Sequence, residues 1–123
     1  MNQETINEYL PIRFPELGEE IAKEREWWFP DEVPSHVFYG DILNKLVFNT
    51  LITNTDKEFL KRIFDFYEEM AECGDEYVQN LLQVTLLEYL WDDFEVLRNA
   101  HKYMGQKTRK LSDELQIYFK PFK

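Results

Sequence analysis

Hydrophobic residues recur at helical spacing along most of the chain. Between residues 55 and 73 the apolar side chains fall on one arc of a helix at 100° per residue. Thr55 followed three positions later by Glu58 is the pattern of a capping box, which marks a helix start. Gly74 stands where a left-handed C-terminal cap is favoured. The pattern predicts a helix that begins at about Thr55 and ends before Gly74.

The next segment, over about residues 75–91, is apolar around most of its circumference, which is typical of a helix covered on several sides. Asp75 can cap its first turn, so the connection to the preceding helix is very short. The two segments together predict a central antiparallel helix pair over residues 55–91. Glu88 falls inside the apolar arc of the second helix, and we expect it to be a buried structural carboxylate with a hydrogen-bond partner.

The flanking parts of the chain are also predicted to be helical. Residues 1–34 form an irregular N-terminal part, because prolines interrupt its short apolar stripes. A longer helix is expected over about residues 35–52, and basic C-terminal helices over residues 93–120, the first of them ended by Gly105. Strand alternation is not convincing anywhere. The fold class predicted is all-α: one domain over residues 1–123, a compact bundle of about five to seven helices that suggests HEAT-like antiparallel helix pairs.

Composition narrows the class of protein. The 123 residues are 44% hydrophobic, which is enough to build a core without a metal or disulfide. No stretch approaches the roughly 18 apolar residues that span a bilayer, and the first residues lack the basic start and apolar run of a signal peptide. A single cysteine, Cys73, suits a reducing compartment. We therefore expect a cytoplasmic protein without a membrane partner.

Charge is distributed very unevenly over the chain. The net charge is −10, with −6 in residues 1–32, −9 in residues 56–95 and +5 in residues 96–123. Between Arg62 and Arg98 there is no lysine or arginine, while ten acidic residues occur. Such a distribution indicates either a solvated face that maintains solubility or a preformed surface for a cationic partner.

Four acids of the first central helix share one face. Asp65, Glu68, Glu69 and Glu72 stand at i, i+3, i+4 and i+7, opposite the apolar arc. Like charges at this spacing cost a few tenths of a kcal/mol each, and no cation lies between them in the sequence to relieve this repulsion. We predict that they project outward as an anionic docking surface.

Three acids after the second central helix and one tryptophan complete the candidate site. Trp27 is predicted to be either an exposed interface anchor or packed under the proline-bounded connector that follows it. The predicted partner-binding residues are Asp65, Glu68, Glu69, Glu72, Asp92, Asp93, Glu95 and Trp27.

Catalytic and metal-binding patterns are absent from the sequence. His36 and His101 are isolated and follow no metal-ligand spacing. Cys73 stands at a predicted helix C-terminus, where the helix dipole opposes thiolate formation. Glycine-rich phosphate loops and nucleophile elbows do not occur. We expect a protein that is not an enzyme and that requires no metal and no cofactor.

Short motifs of the central pair resemble a known group of proteins. They are FYEEM at residues 66–70, GDE at 74–76, VQNLL at 78–82 and LEYL at 87–90. These motifs resemble small acidic helical proteins found beside bacterial polymorphic toxins, including the immunity proteins of contact-dependent growth inhibition systems. The resemblance implies a cytoplasmic protein that neutralises one cognate toxin by tight binding. Because such families vary at the contact surface, the motif transfers no functional residue.

The function expected is therefore that of an immunity protein that neutralises a basic toxin, with nuclease as the favoured type. One alternative is a non-enzymatic adaptor or oligomerisation domain. A second and weaker alternative is nucleic-acid binding through the basic residues of 98–110, which a protein of net charge −10 does not favour.

Overall fold

The computed structural model describes residues 1–119. In chain order the elements are α1 (Ile6–Arg13), a 3₁₀ turn (Pro15–Leu17), α2 (Gly18–Trp28), α3 (Ser35–Tyr39), α4 (Lys45–Thr53), α5 (Lys57–Cys73), α6 (Glu76–Asn80), α7 (Glu88–Leu90), α8 (Phe94–His101), α9 (Gln106–Glu114) and α10 (Gln116–Phe119). Two π-helical segments, Gly40–Asn44 and Leu81–Leu87, join α3 to α4 and α6 to α7 without a break. Within the described residues there is no strand.

The all-α prediction is confirmed. When each continuous helix is counted once and the short α10 is set aside, the described part of the chain forms a bundle of seven helices. Positions 120–123 lie outside the described residues. They include the last residue of the predicted C-terminal helices and the last four residues of the predicted domain.

The central helix pair forms as predicted. The apolar arc of α5 is buried, and its buried members are Phe59, Leu60, Ile63, Phe64, Phe66, Tyr67, Met70 and Ala71. The chain then turns at Gly74, and the side chain of Asp75 accepts a hydrogen bond of 3.0 Å from the backbone N–H of Val78. Asp75 therefore caps α6, as the sequence predicts.

Two details of the predicted caps are wrong. α5 is capped by Asp56, which accepts from Phe59 N at 3.2 Å, because the hydroxyl of Thr55 pairs with the hydroxyl of Thr53 at 2.8 Å. Gly74 is extended, with φ −74° and ψ 148°, so it is not a left-handed cap. A glycine is required at position 74 for a steric reason, because a Cβ there would overlap the carbonyl oxygen of Met70.

The second π segment explains another wrong expectation. Glu88 is predicted to be buried, but it is exposed. A π-helical turn has i→i+5 hydrogen bonds, so residues after Leu81–Leu87 are rotated away from the positions that a 100° wheel predicts. The altered backbone is bound by a neighbouring helix: Asn44 Nδ2 donates to the Thr85 carbonyl at 3.0 Å, and His36 Nδ1 lies 2.5 Å from the Thr85 hydroxyl.

The first thirty-four residues are more regular than their prolines indicate. Pro11 lies within α1 and does not end it. The hydroxyl of Tyr39 donates to the Ile6 carbonyl at 2.5 Å, which ties α1 to α3. The Met1 carbonyl accepts from Asp75 N at 3.0 Å, so the start of the chain lies beside the turn between α5 and α6.

The two C-terminal helices have different main neighbours in the bundle. α8 packs on α4 and α7, whereas α9 packs on α5 and the second π segment. α8 ends at His101, and Gly105 precedes α9 as its N-cap residue instead of ending α8.

Candidate functional site

Glu68 does not face solvent as a free carboxylate. It accepts hydrogen bonds from Lys107 N at 3.1 Å, from Thr108 N at 2.8 Å and from the Thr108 hydroxyl at 2.8 Å. Partial burial raises the pKa of Glu68, but these hydrogen bonds outweigh it and hold the pKa below its ordinary value. Glu68 therefore caps the N-terminus of α9, and Gly105 leaves the space for its carboxylate.

Glu69 is paired with a cation from another helix. Both of its oxygens accept from the Arg13 guanidinium at 2.6 Å, and that guanidinium also lies 5.6 Å from the centroid of the Phe66 ring. The hydrogen bonds from Arg13 lower the pKa of Glu69 more than burial raises it. On the same face, Asp65 pairs with Lys61 at 3.2 Å. The expectation that no cation relieves these acids is wrong.

We expect Arg13→Ala to flatten the acid limb of the stability profile. The folded-state pKa of Glu69 lies below its ordinary value of 4.5, so its stabilising contribution is complete above 4.5 and is lost as the pH falls from there through the lower folded-state pKa. Without Arg13 the free energy of unfolding should fall by about 1 kcal/mol at neutral pH and much less in acid. Urea unfolding at a series of pH values measures this difference. As a control, Lys23→Ala removes the exposed Lys23–Glu19 pair and should leave the stability profile nearly unchanged. If the pH profiles of Arg13→Ala and the wild type were parallel, Arg13 would not be the group that lowers the pKa of Glu69.

The remaining predicted acids form two separate patches. Glu72 is exposed near the end of α5, whereas Asp92 and Glu95 are exposed beyond the far end of the next helix. The intervening helix, Glu76–Leu90, is about 20 Å long at the ordinary rise per residue. Asp93 is the N-cap of α8 and accepts from the backbone N–H groups of the second and third residues after it, at 2.9 and 3.0 Å. The predicted residues therefore do not meet in one surface.

Trp27 projects into solvent at the end of α2. It is 84% exposed, and Phe29 two residues later is 80% exposed. Packing of Trp27 under the connector, one of the two predicted alternatives, is wrong. Trp28 is half-buried and its side chain hydrogen-bonds Glu24.

A groove that the sequence pattern does not predict brings other acids together. It has a volume of about 910 Å³ and lies between α1, the connector after α2 and the first turn of α6. Its acidic lining residues are Glu4, Glu8, Asp31 and Glu32. The signals in the sequence are weak: one acidic pair within the proline-bounded connector, and another pair one turn apart at the start of the chain.

One cation of the basic C-terminal part is paired with an acid of the same helix. Arg109 pairs with Asp113 at 3.0 Å. Burial lowers the pKa of His101 and the charge of Arg109 lowers it further, which together outweigh the raising effect of Asp113. The arrangement weakens the case for a phosphate-binding patch within residues 98–110.

Metal clusters and membrane-crossing helices are both missing from the part of the chain that the structure describes. Within residues 1–119, no three His, Cys, Asp or Glu side chains lie close enough to hold a metal ion together. Over the same residues, none of the helices combines the length and the apolar character needed to cross a bilayer.

Comparison with known proteins places the chain in a family. Residues 7–119 match the family model described as "Domain of unknown function (DUF7674)". The chain belongs to the DUF7674 family. The match extends from α1 to the end of α10. The groove, the α5 face (Asp65, Glu68, Glu69 and Glu72) and the two π segments therefore lie within the family's domain or at its edge. Neither a curated protein nor a solved structure matches the chain.

Proposed function

We propose that this DUF7674 protein is a non-enzymatic immunity protein that binds and neutralises a basic toxin of the nuclease type. The observation that carries the proposal is a set of exposed carboxylates with no ion-pair or hydrogen-bonding cation among the described residues. That set includes Glu4, Glu8, Asp31, Glu32, Glu72, Asp92 and Glu95. The resemblance to immunity proteins, over about residues 56–95, supplies the class of partner.

The charge of such a protein suits the partner's chemistry. An enzyme that binds a nucleic acid needs a cationic surface, and an acidic protein is attracted to that surface. Steering of this kind raises association rates by roughly 10–1000-fold at low ionic strength. The excess of unpaired acids therefore favours rapid capture of a basic protein and disfavours nucleic acid as the ligand.

The test is neutralisation of the toxin domain encoded beside this chain's gene. We expect the toxin domain alone to stop growth of a bacterial host, and coexpression with this chain to restore growth and give a one-to-one complex. Reversing Glu72, Asp92 and Glu95 to Lys should slow association several-fold at low salt and much less at high salt. Glu68 and Glu69 are left intact in this variant, because their internal contacts make any loss of binding ambiguous.

Two outcomes would favour the alternatives. A protein that forms stable oligomers and neither binds nor protects against the neighbouring toxin would favour an adaptor or oligomerisation domain. The nucleic-acid alternative would be favoured if the protein bound oligonucleotides with an affinity that fell steeply as salt was added. Mutation of Arg109 and Lys110 should then weaken this binding.

A further inference from the structure

The groove beside the connector is held in shape by contacts that involve its own lining residues. Asn7 Nδ2 donates to the Val33 carbonyl at 2.8 Å, which ties the connector to α1. Two prolines, Pro30 and Pro34, restrict the connector backbone on either side of its acidic pair. Asp31 N donates to the Trp28 carbonyl at 2.8 Å, which closes the turn after α2. A groove fixed in this way loses little conformational entropy when it is filled.

The electrostatics of this groove are one-sided. Its four carboxylates, at positions 4, 8, 31 and 32, have no cation partner in the part of the chain that the structure describes. Arg25 is the lining cation, and its guanidinium lies 5.6 Å from the centroid of the Phe38 ring. The acids therefore remain available to a cation from outside.

The groove also offers contacts that are not acidic. Phe29 exposes 80% of its surface and lines the groove, and the half-buried ring of Tyr77 lines it as well. Aromatic faces bind guanidinium and ammonium groups by cation–π attraction. The Oδ1 atom of Asn7 is buried and has no hydrogen-bond partner among the described residues.

We propose that this groove is the docking site for a basic segment of the partner protein, whose arginine or lysine side chains contact the lining aromatics Phe29 and Tyr77. The proposal rests on the proposed function for the nature of the partner, and it moves the contact away from the α5 face. The aliphatic stem of the inserted side chain packs on the aromatic residues, while its charged group reaches the carboxylates at the rim. The volume lies in the range of about 300–1,000 Å³ that is typical of sites for compact ligands.

The first test uses the acetylated and amidated peptide Gly-Arg-Lys-Arg-Gly as the probe. Amide NMR spectra of the isotope-labelled protein at physiological salt should show shifts confined to residues 3–8, 29–35 and 77. Glu4→Lys combined with Glu32→Lys should weaken peptide binding about 10-fold. Phe29→Ala should weaken it about 3-fold, with little dependence on salt.

The matched control is Glu58→Lys combined with Glu88→Lys, which changes the net charge by the same amount at two exposed positions away from the groove, one at the start of α5 and one at the start of α7. At this ionic strength charges are screened beyond about 8 Å, so the control should bind the peptide nearly as the wild type does. Equal weakening by both double variants would overturn the docking site, because it would mean that the peptide senses only net charge. Shifts confined to residues 65–72 or 92–95 would overturn it as well.

Two results separate this inference from the proposed function. If the Glu4→Lys, Glu32→Lys variant still forms the toxin complex with unchanged affinity, the docking site is wrong and the immunity function stands. If the peptide binds the groove but the neighbouring toxin does not bind the protein at all, the groove is a docking site for basic segments and the proposed immunity function is wrong. If spermidine shifted the same amide signals and bound with the same affinity as the peptide, the preference of the groove for a protein segment would be overturned.

Discussion

Replacing Gly74 with alanine should lower the free energy of unfolding by about 2–3 kcal/mol, a typical cost of overpacking a rigid site. A Cβ at this position would overlap the Met70 carbonyl oxygen and would lie 2.6 Å from Cγ1 of Val78. Neither atom can move freely, because Met70 O accepts from Gly74 N at 3.0 Å and Val78 is fully buried. Denaturant unfolding with an unchanged m-value measures the effect.

Gly18→Ala is the matched control for this substitution. Gly18 begins α2 with helical backbone angles, and a Cβ added there would meet open space within 4 Å. Alanine at this position should raise the free energy of unfolding by about 0.4–1 kcal/mol, because it reduces the conformational freedom of the unfolded chain. If the two alanine variants were equally stable, crowding around the turn between α5 and α6 would not explain the need for Gly74.

The fold is predictable wherever local periodicity decides the structure. The apolar arc of α5 and the cap at Asp75 depend on residues within four positions of one another, and both are found as predicted. The N-cap of α5 is displaced by one residue, from Thr55 to Asp56, because two threonine hydroxyls pair with each other instead of one capping the helix. Local competition of this kind involves several acceptors of similar strength, and the sequence pattern does not rank them.

The π segment before Glu88 makes a long-range contact that sequence periodicity does not contain. Asn44, forty-one residues earlier, donates to the Thr85 carbonyl within the second π segment. A helical wheel assumes one rotation per residue along the whole helix, and a π turn changes that rotation for every residue after it. The wheel is therefore correct for the residues before the π segment and wrong for the first residue after it.

The acidic face shows the corresponding limit for the candidate site. The spacing of its acids correctly predicts that they share one side of α5, but not which of them are available to a partner. Arg13 reaches Glu69 from fifty-six residues away, and Thr108 reaches Glu68 from forty residues away. Charge counted by segment cannot detect such pairs, because they depend on how the segments pack. The groove beside the connector is missed for the same reason, since its acids come from two separate segments.

The stability effects of substitutions at Glu68 and Gly105 should be coupled. Glu68→Ala should turn Gly105→Ala from a destabilising substitution into a stabilising one. Glu68→Ala removes the cap of α9 and leaves the buried hydroxyl of Thr108 without its acceptor, which should cost about 2 kcal/mol. Gly105→Ala alone should cost about 1–2 kcal/mol, because its Cβ would lie 2.5 Å from Oε1 of Glu68 and displace the capping carboxylate.

In the Glu68→Ala background the same Gly105→Ala change should be harmless. The obstructing carboxylate is gone, and Gly105 has φ −73° and ψ 175°, which alanine adopts without strain. The double variant should therefore be more stable than Glu68→Ala alone by about 0.4–1 kcal/mol, through the reduced freedom of the unfolded chain. A double-mutant cycle in urea measures this coupling, and Glu72→Ala, one turn away on the exposed face, is the control that should not couple with Gly105. Additive costs of the two substitutions would show that Glu68 and Gly105 act independently, and the assignment of Glu68 as the cap of α9 would then be wrong.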